Sequence, residues 1–158
     1  MDCQVFIEAE AGSCVKGVYD ERSFARLRDR RTLAPYPYAY GFIPGTQGGP
    51  EDECLDCYLI TRRPLSAGRL YAARVFALLE FFEGDELDHK LLAAPVGEAA
   101  PTAAELAALR DELASFITAI FRAYPDVSIR VGELQPAQEA ERLLAARLAS
   151  SVSSQSSD

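Results

Sequence analysis

The sequence predicts an α+β fold in which strands dominate. Two observations carry this. Short apolar or alternating segments, punctuated by Gly and Pro, follow one another from residue 4 to residue 95, and two helical patterns come only after Pro101. Strands gathered first and helices gathered last describe a sheet with helices set to one side of it, and dominance of the strands favours a closed barrel. A chain of 158 residues is long enough to bury one core. No internal repeat is present. A single domain is expected over residues 1–149, with the Ser-rich stretch 150–158 as a disordered polar tail.

The elements follow in order. Residues 4–9 (Gln-Val-Phe-Ile-Glu-Ala) read as a first strand, Gly12-Ser13 as a turn, and Val15–Tyr19 as a second strand. Phe24–Arg31 alternates apolar residues with arginines and reads as a strand or as a solvated charge run. Tyr36, Tyr38 and Tyr40 stand at alternate positions, the spacing that puts side chains on one face of a strand. The chain then passes through Gly-Phe-Ile-Pro and a glycine-rich turn to Glu51, Glu53 and Asp56 before the apolar run Leu55–Thr61. Arg62–Gly68 breaks that run, Leu70–Phe82 is a long strand, and Glu83–Asp88 is a second acidic turn ahead of Lys90–Pro95. Thr102 and Glu105 form a capping box. Leu106, Leu109, Leu113, Phe116, Ile117 and Ile120 give the stripe of an amphipathic helix ended by Tyr124. Val127–Val131 is a short strand, and Pro136 starts a final helix reaching Leu148, with Leu143 and Leu144 inward.

Composition excludes several classes. A formal net charge of −8 argues against a nucleic-acid binder, because that function rests on neutralising phosphates with Lys and Arg. An OB-type module stacking bases on the tyrosines is disfavoured on the same ground. No apolar run approaches the ~20 residues of a membrane span. The first residues, Met-Asp-Cys-Gln-Val-Phe-Ile-Glu, lack a basic segment before an apolar one, so no secretory signal is read and a cytoplasmic location is expected. Cys54 and Cys57 have the spacing of half a zinc site, but on a strand residues three apart face opposite ways. Together with Cys3 and Cys14 they read as small buried thiols. His89, the one histidine, sits in an acidic turn and reads as solvated.

The two acidic turns bring Glu51, Glu53, Asp56, Glu83 and Asp88, and carboxylates beside phenolic hydroxyls suit Mg²⁺ and phosphate oxygens. The run Tyr36-Pro-Tyr-Ala-Tyr-Gly-Phe-Ile-Pro followed by Glu51-Asp-Glu-Cys-Leu-Asp56 resembles the signature region of family I soluble inorganic pyrophosphatases, whose usual acidic motif is Asp-Gly-Asp-Pro-Leu-Asp. Arg63-Pro-Leu-Ser-Ala-Gly68 and Asp88-His-Lys-Leu-Leu-Ala-Ala-Pro95 extend the resemblance, which runs from about residue 5 to 125. It implies a five-stranded OB-like β-barrel flanked by two C-terminal helices, a homo-oligomer, and Mg²⁺-dependent hydrolysis of pyrophosphate, with Mn²⁺ able to use the same oxygen donors. It further implies metal binding by Glu51, Asp56, Glu83 and Asp88, with Glu53 and Asp56 catalytic and Glu53 helping to deprotonate the attacking water. Substrate binding falls to Lys16, Arg28, Tyr40, Lys90 and Tyr124, and Glu8 is a further site acid. Arg26 and Arg30 share a strand face with Arg28 and are substitutes for it.

The sequence also departs from the family pattern. Glu51, Glu53 and Glu83 stand where aspartate is usual, Val18 where a site glutamate is usual, and Pro125 where a lysine is usual. Each glutamate carries its carboxylate one methylene further, and displacement by about 1 Å is able to cost on the order of a hundredfold in rate. The expectation is a pyrophosphatase with a kept metal site and reduced activity. The alternative is a catalytically impaired relative that binds metal together with phosphate or a nucleotide.

Overall fold

A computed structural model describes residues 1–155; residues 156–158 lie outside the described residues. The elements are β1 (Asp2–Ala9), β2 (Val15–Tyr19), β3 (Arg26–Arg31), β4 (Ala39–Phe42), β5 (Asp56–Leu59), β6 (Leu70–Glu83), β7 (Glu86–Leu87), β8 (Lys90–Pro95), α1 (Ala103–Phe121), β9 (Ile129–Pro136) and α2 (Ala137–Gln155). Strands β1, β4, β5, β8 and β6 neighbour one another in that order, and β6 returns to pair with β1 through Cys3↔Ala73 and Val5↔Tyr71, closing a five-stranded ring. Closure removes the free edges that an open sheet of these strands would expose. Strands β7 and β9 extend β6 beyond the ring, while β2 and β3 pair only with each other.

Gly41 allows the ring to close at β1. A side chain there would meet the Phe6 carbonyl oxygen at 1.7 Å, so only a hydrogen fits between β4 and β1. The interior divides into two apolar bodies. One gathers Val5, Ile7, Leu59, Val75 and Leu91 against Ala140 and Leu144 of α2. The other packs Leu79, Phe81 and Leu92 against Leu109, Leu113, Phe116 and Ile117 of α1. A smaller cluster of Phe6, Tyr19, Phe42 and Cys54 lies under the β2–β3 hairpin, with Phe24 stacked on Phe6 at 4.7 Å. Cys54 and Cys57 thus belong to different clusters, each as a small buried group, whereas Cys3 is half-buried and Cys14, in the β1–β2 turn, is exposed rather than buried as expected.

Helix α1 begins as its sequence dictates. The Thr102 hydroxyl accepts from the Glu105 N–H at 3.3 Å and the Glu105 carboxylate reaches back to the Thr102 backbone N–H. Thr102→Ala removes the forward bond and is expected to lower stability by about 1 kcal/mol without changing the site, a shift readable by thermal melting.

Further readings of the sequence need correction. Tyr124 does not end α1, which stops at Phe121 with Arg122 as its cap. The strand expected over Val127–Val131 continues as β9 to Pro136, because β6 is long enough to pair with it as far as Ala77↔Pro136. Helix α2 runs through Gln155, so residues 150–155 of the expected tail are helical, and the rest of that stretch lies outside the described residues. His89 is half-buried rather than solvated: its Nδ1 accepts the Phe81 N–H at 3.2 Å and its ring meets Phe82 edge-on.

Candidate active site

One end of the ring opens into a cleft of about 760 Å³. Its walls are the β2–β3 hairpin, the loop between β4 and β5, the β6–β7 turn and the C-terminal end of α1. Glu8, Lys16, Arg28, Tyr40, Glu51, Glu53, Asp56, Glu83, Asp88, Lys90 and Tyr124 all line it. Arg30 lines it as well, whereas Arg26 does not and instead pairs with Asp29.

At the centre stands Lys90. Strands β5 and β8 run parallel, with Asp56 directly beside Lys90, so the register itself forms the ion pair: Lys90 Nζ lies 2.6 Å from Asp56 Oδ2. The same ammonium donates to Asp88 Oδ2 at 2.9 Å. Burial alone would raise the Asp56 pKa, but Lys90, Lys16 and a hydrogen bond from Tyr40 outweigh it and hold the carboxyl below its ordinary range. Two ammonium groups lie over the Tyr40 ring, Lys16 Nζ 5.3 Å and Lys90 Nζ 5.8 Å from its centroid. On the other side Lys16 faces Glu8 at 3.9 Å. Burial pushes the Glu8 carboxyl up to about 7 despite Lys16, and the Asp56 and Glu21 carboxylates push the same way.

Alternation of the three tyrosines does not come from one strand, since β4 starts at Ala39. Tyr36 and Tyr40 nevertheless stack at 5.5 Å on the cleft wall, with Tyr36 also against Phe116 of α1. Tyr38 turns away toward Glu112 of α1.

The acidic loop is held from two sides. Arg147 of α2 donates from Nη1 to the carbonyl oxygens of Thr46 at 3.0 Å and Glu53 at 3.1 Å. Gly48 makes room for it, as a Cβ there would lie 2.9 Å from the arginine side chain. Opposite, Arg22 of the hairpin turn pairs with Asp52 at 3.4 Å. Sequence reasoning missed Arg147 and Arg22, along with Glu21, Asp52 and Tyr36 among the cleft residues. The Gly48-Gly49 pair was the one available signal, marking a place where another group approaches the backbone.

Burial raises the Glu53 pKa, and the nearby carboxylates of Glu51, Asp56, Glu21 and Asp88 raise it further. Mutual repulsion of this kind is relieved by a bound cation. Among the described residues no three His, Cys, Asp or Glu groups are gathered into a ready cage. The donors present are carboxylate oxygens facing an open cleft, which fits a hard divalent ion that takes one or two carboxylates and completes its shell with water and phosphate oxygens. Arg28, Arg30, Lys16 and Tyr124 on the facing walls suit the phosphates.

Acids set against bases around an open cleft on a closed ring of strands are the chemistry that suits phosphate and a divalent cation. Comparison with known proteins narrows the class. The family model described as inorganic pyrophosphatase matches residues 5–151. The inorganic pyrophosphatase of Synechocystis is 35% identical over 137 residues, covering 82% of this chain and 78% of its own. That of Aeropyrum pernix is 31% identical over 149 residues, covering 89% and 84%. A solved inorganic pyrophosphatase of Coxiella burnetii superposes with a TM-score of 0.82 at 25% identity, covering 94% of each chain. The chain belongs to the inorganic pyrophosphatase family, hydrolases that act on pyrophosphate and use divalent metal ions. No helix among the described residues is long and apolar enough to cross a membrane.

Proposed function

We propose that this chain hydrolyses inorganic pyrophosphate to two phosphates with Mg²⁺, and that Mn²⁺ serves the same oxygen donors. Glu51, Asp56, Glu83 and Asp88 would hold the metal. When bound, the metal lowers the pKa of a coordinated water and draws charge from phosphate oxygens. Glu53 accepts the proton of the attacking water, whose oxygen bonds to one phosphorus as the bridging P–O bond breaks. Asp56 anchors Lys90 beside that phosphate. Lys16, Arg28, Tyr40, Lys90 and Tyr124 bind the phosphates and balance the charge gathering on the leaving group. Glu8, opposite Lys16, keeps that ammonium in place. The reading extends to a homo-oligomer in the cytoplasm.

The observation that carries this proposal is that acids from two turns and bases from three strands, far apart in sequence, line one cleft. Phosphate release from pyrophosphate is expected with Mg²⁺ or Mn²⁺ and is expected to stop in excess EDTA. Glu53→Gln, which keeps shape and removes the basic oxygen, is expected to lower turnover by about a hundredfold or more. No release from clean protein with either metal, alongside measurable binding of metal and phosphate, would mean that the glutamate changes, Val18 and Pro125 have left a binding protein rather than an enzyme.

A further inference from the structure

Glu21 sits in the turn between β2 and β3, where neither a strand face nor a helix stripe marks it. Its side chain nonetheless crosses to the acidic loop, and Oε1 accepts the backbone N–H of Cys54 at 2.9 Å. It lines the same cleft as Glu53 and Asp56. Burial raises its pKa against the Cys54 hydrogen bond, and the Asp56 carboxylate is near enough to add to the rise.

Two neighbouring features give this contact meaning. In the hairpin register Val18 pairs with Arg28, and both line the cleft, so position 18 is a wall position that bears no oxygen. Cys54 supplies an N–H at the place where the acidic motif that this one resembles has proline, which has none. The Cys54 thiol adds a second hydrogen bond to the same carboxylate, so the loop holds Glu21 through both its backbone and its side chain.

We infer that Glu21 is a cation-binding residue of this site, supplying from the turn the carboxylate that Val18 does not supply from the strand. The Cys54 N–H fixes Oε1, and the carboxylate has lone pairs beyond those that Cys54 uses for the ion or one of its waters. The inference rests on the reading that the cleft binds a divalent cation, and its test separates the two. Mn²⁺ binding without pyrophosphate, followed by water-proton relaxation, is the measurement. Glu21→Gln keeps the acceptor for Cys54 and removes only the charge. It is expected to weaken Mn²⁺ binding by about tenfold or more, the scale seen when a group that supports a metal site is lost. Cys54→Ala keeps the N–H, loses the weak thiol contact and is expected to bind Mn²⁺ within about threefold of wild type, while Cys54→Pro is expected to weaken binding as Glu21→Gln does. Val18→Glu added to Glu21→Gln is expected to restore binding. Wild-type affinity in Glu21→Gln, with the wild type itself binding Mn²⁺, would overturn the inference alone. A wild type that binds no Mn²⁺ would overturn the metal reading and this inference with it.

Discussion

Asp56→Asn is expected to lower metal-dependent pyrophosphate hydrolysis by about a thousandfold, the scale of losing a preorganised charged group at the reacting centre. The substitution keeps volume and one oxygen, so the ring and its register remain. What changes is charge. Lys90, its side chain only 10% exposed, loses the partner at 2.6 Å and is left with Asp88 at 2.9 Å, whose side chain is 43% exposed. The ammonium therefore has one carboxylate to lean toward, and the cation of the proposed function would lose an anionic oxygen at the point where β5 enters the cleft. Because Asp88 remains, stability is expected to fall by only about 1–2 kcal/mol. The pH dependence has a definite sign. A carboxyl held below its ordinary value contributes stability that is fully present above 3.8 and is lost as pH falls through the folded value. The variant should therefore melt closer to wild type in strong acid than at neutrality. Turnover within tenfold of wild type would remove Asp56 from the machinery.

The largest loss of stability is expected from Gly41→Ala. The added carbon would sit 1.7 Å from the Phe6 carbonyl oxygen, 2.7 Å from its carbon and 3.0 Å from the Ile7 Cα. These are backbone atoms of a paired strand, not the mobile end of a side chain. Relief requires β1 to move away from β4, which breaks the Phe6↔Phe42 and Ile7↔Gly41 pairing. A cost beyond about 3 kcal/mol is expected, at the upper end for a single substitution. For a domain of this size that corresponds to a melting temperature lower by roughly 10 °C. Activity should fall too, because neighbouring Tyr40 forms part of the cleft wall. A melting temperature within 2–3 °C of wild type would show that the ring tolerates a gap at this seam.

Much of this architecture was legible in the sequence where chemistry is local. Thr102 and Glu105 mark the start of α1 because a capping box is written within a single turn. The apolar stripe of α1 is buried at Leu109, Leu113, Phe116 and Ile117 because helical spacing alone decides which residues share a face. The two acidic turns were legible in the sequence itself, whereas Glu8, Lys16, Arg28, Lys90 and Tyr124 were singled out through the family resemblance, and all of them line the cleft. Other features depend on distant partners. Glu21 meets Cys54 across 33 residues and Arg147 meets Thr46 across 101, and nothing beside either residue announces the contact. The full extent of β9 is set by β6, not by its own composition, which mixes Gly132, Glu133 and Gln135 into a strand. Tyr36 and Tyr40 share a wall through stacking although no strand spans both.

Closure of the ring also bears on how fast the active form appears. Pairing β1 with β6 joins Asp2 to Arg74, and the parallel pairing of β5 with β8 joins Asp56 to Lys90. Neither contact forms early from neighbours in sequence, and both carry the entropy of closing a long loop before any burial repays it. Helix α1 and the β2–β3 hairpin are local and can form first. Refolding from denaturant should therefore show helical signal recovering ahead of turnover, with the Asp56–Lys90 pair, and so the cleft, among the last parts to assemble.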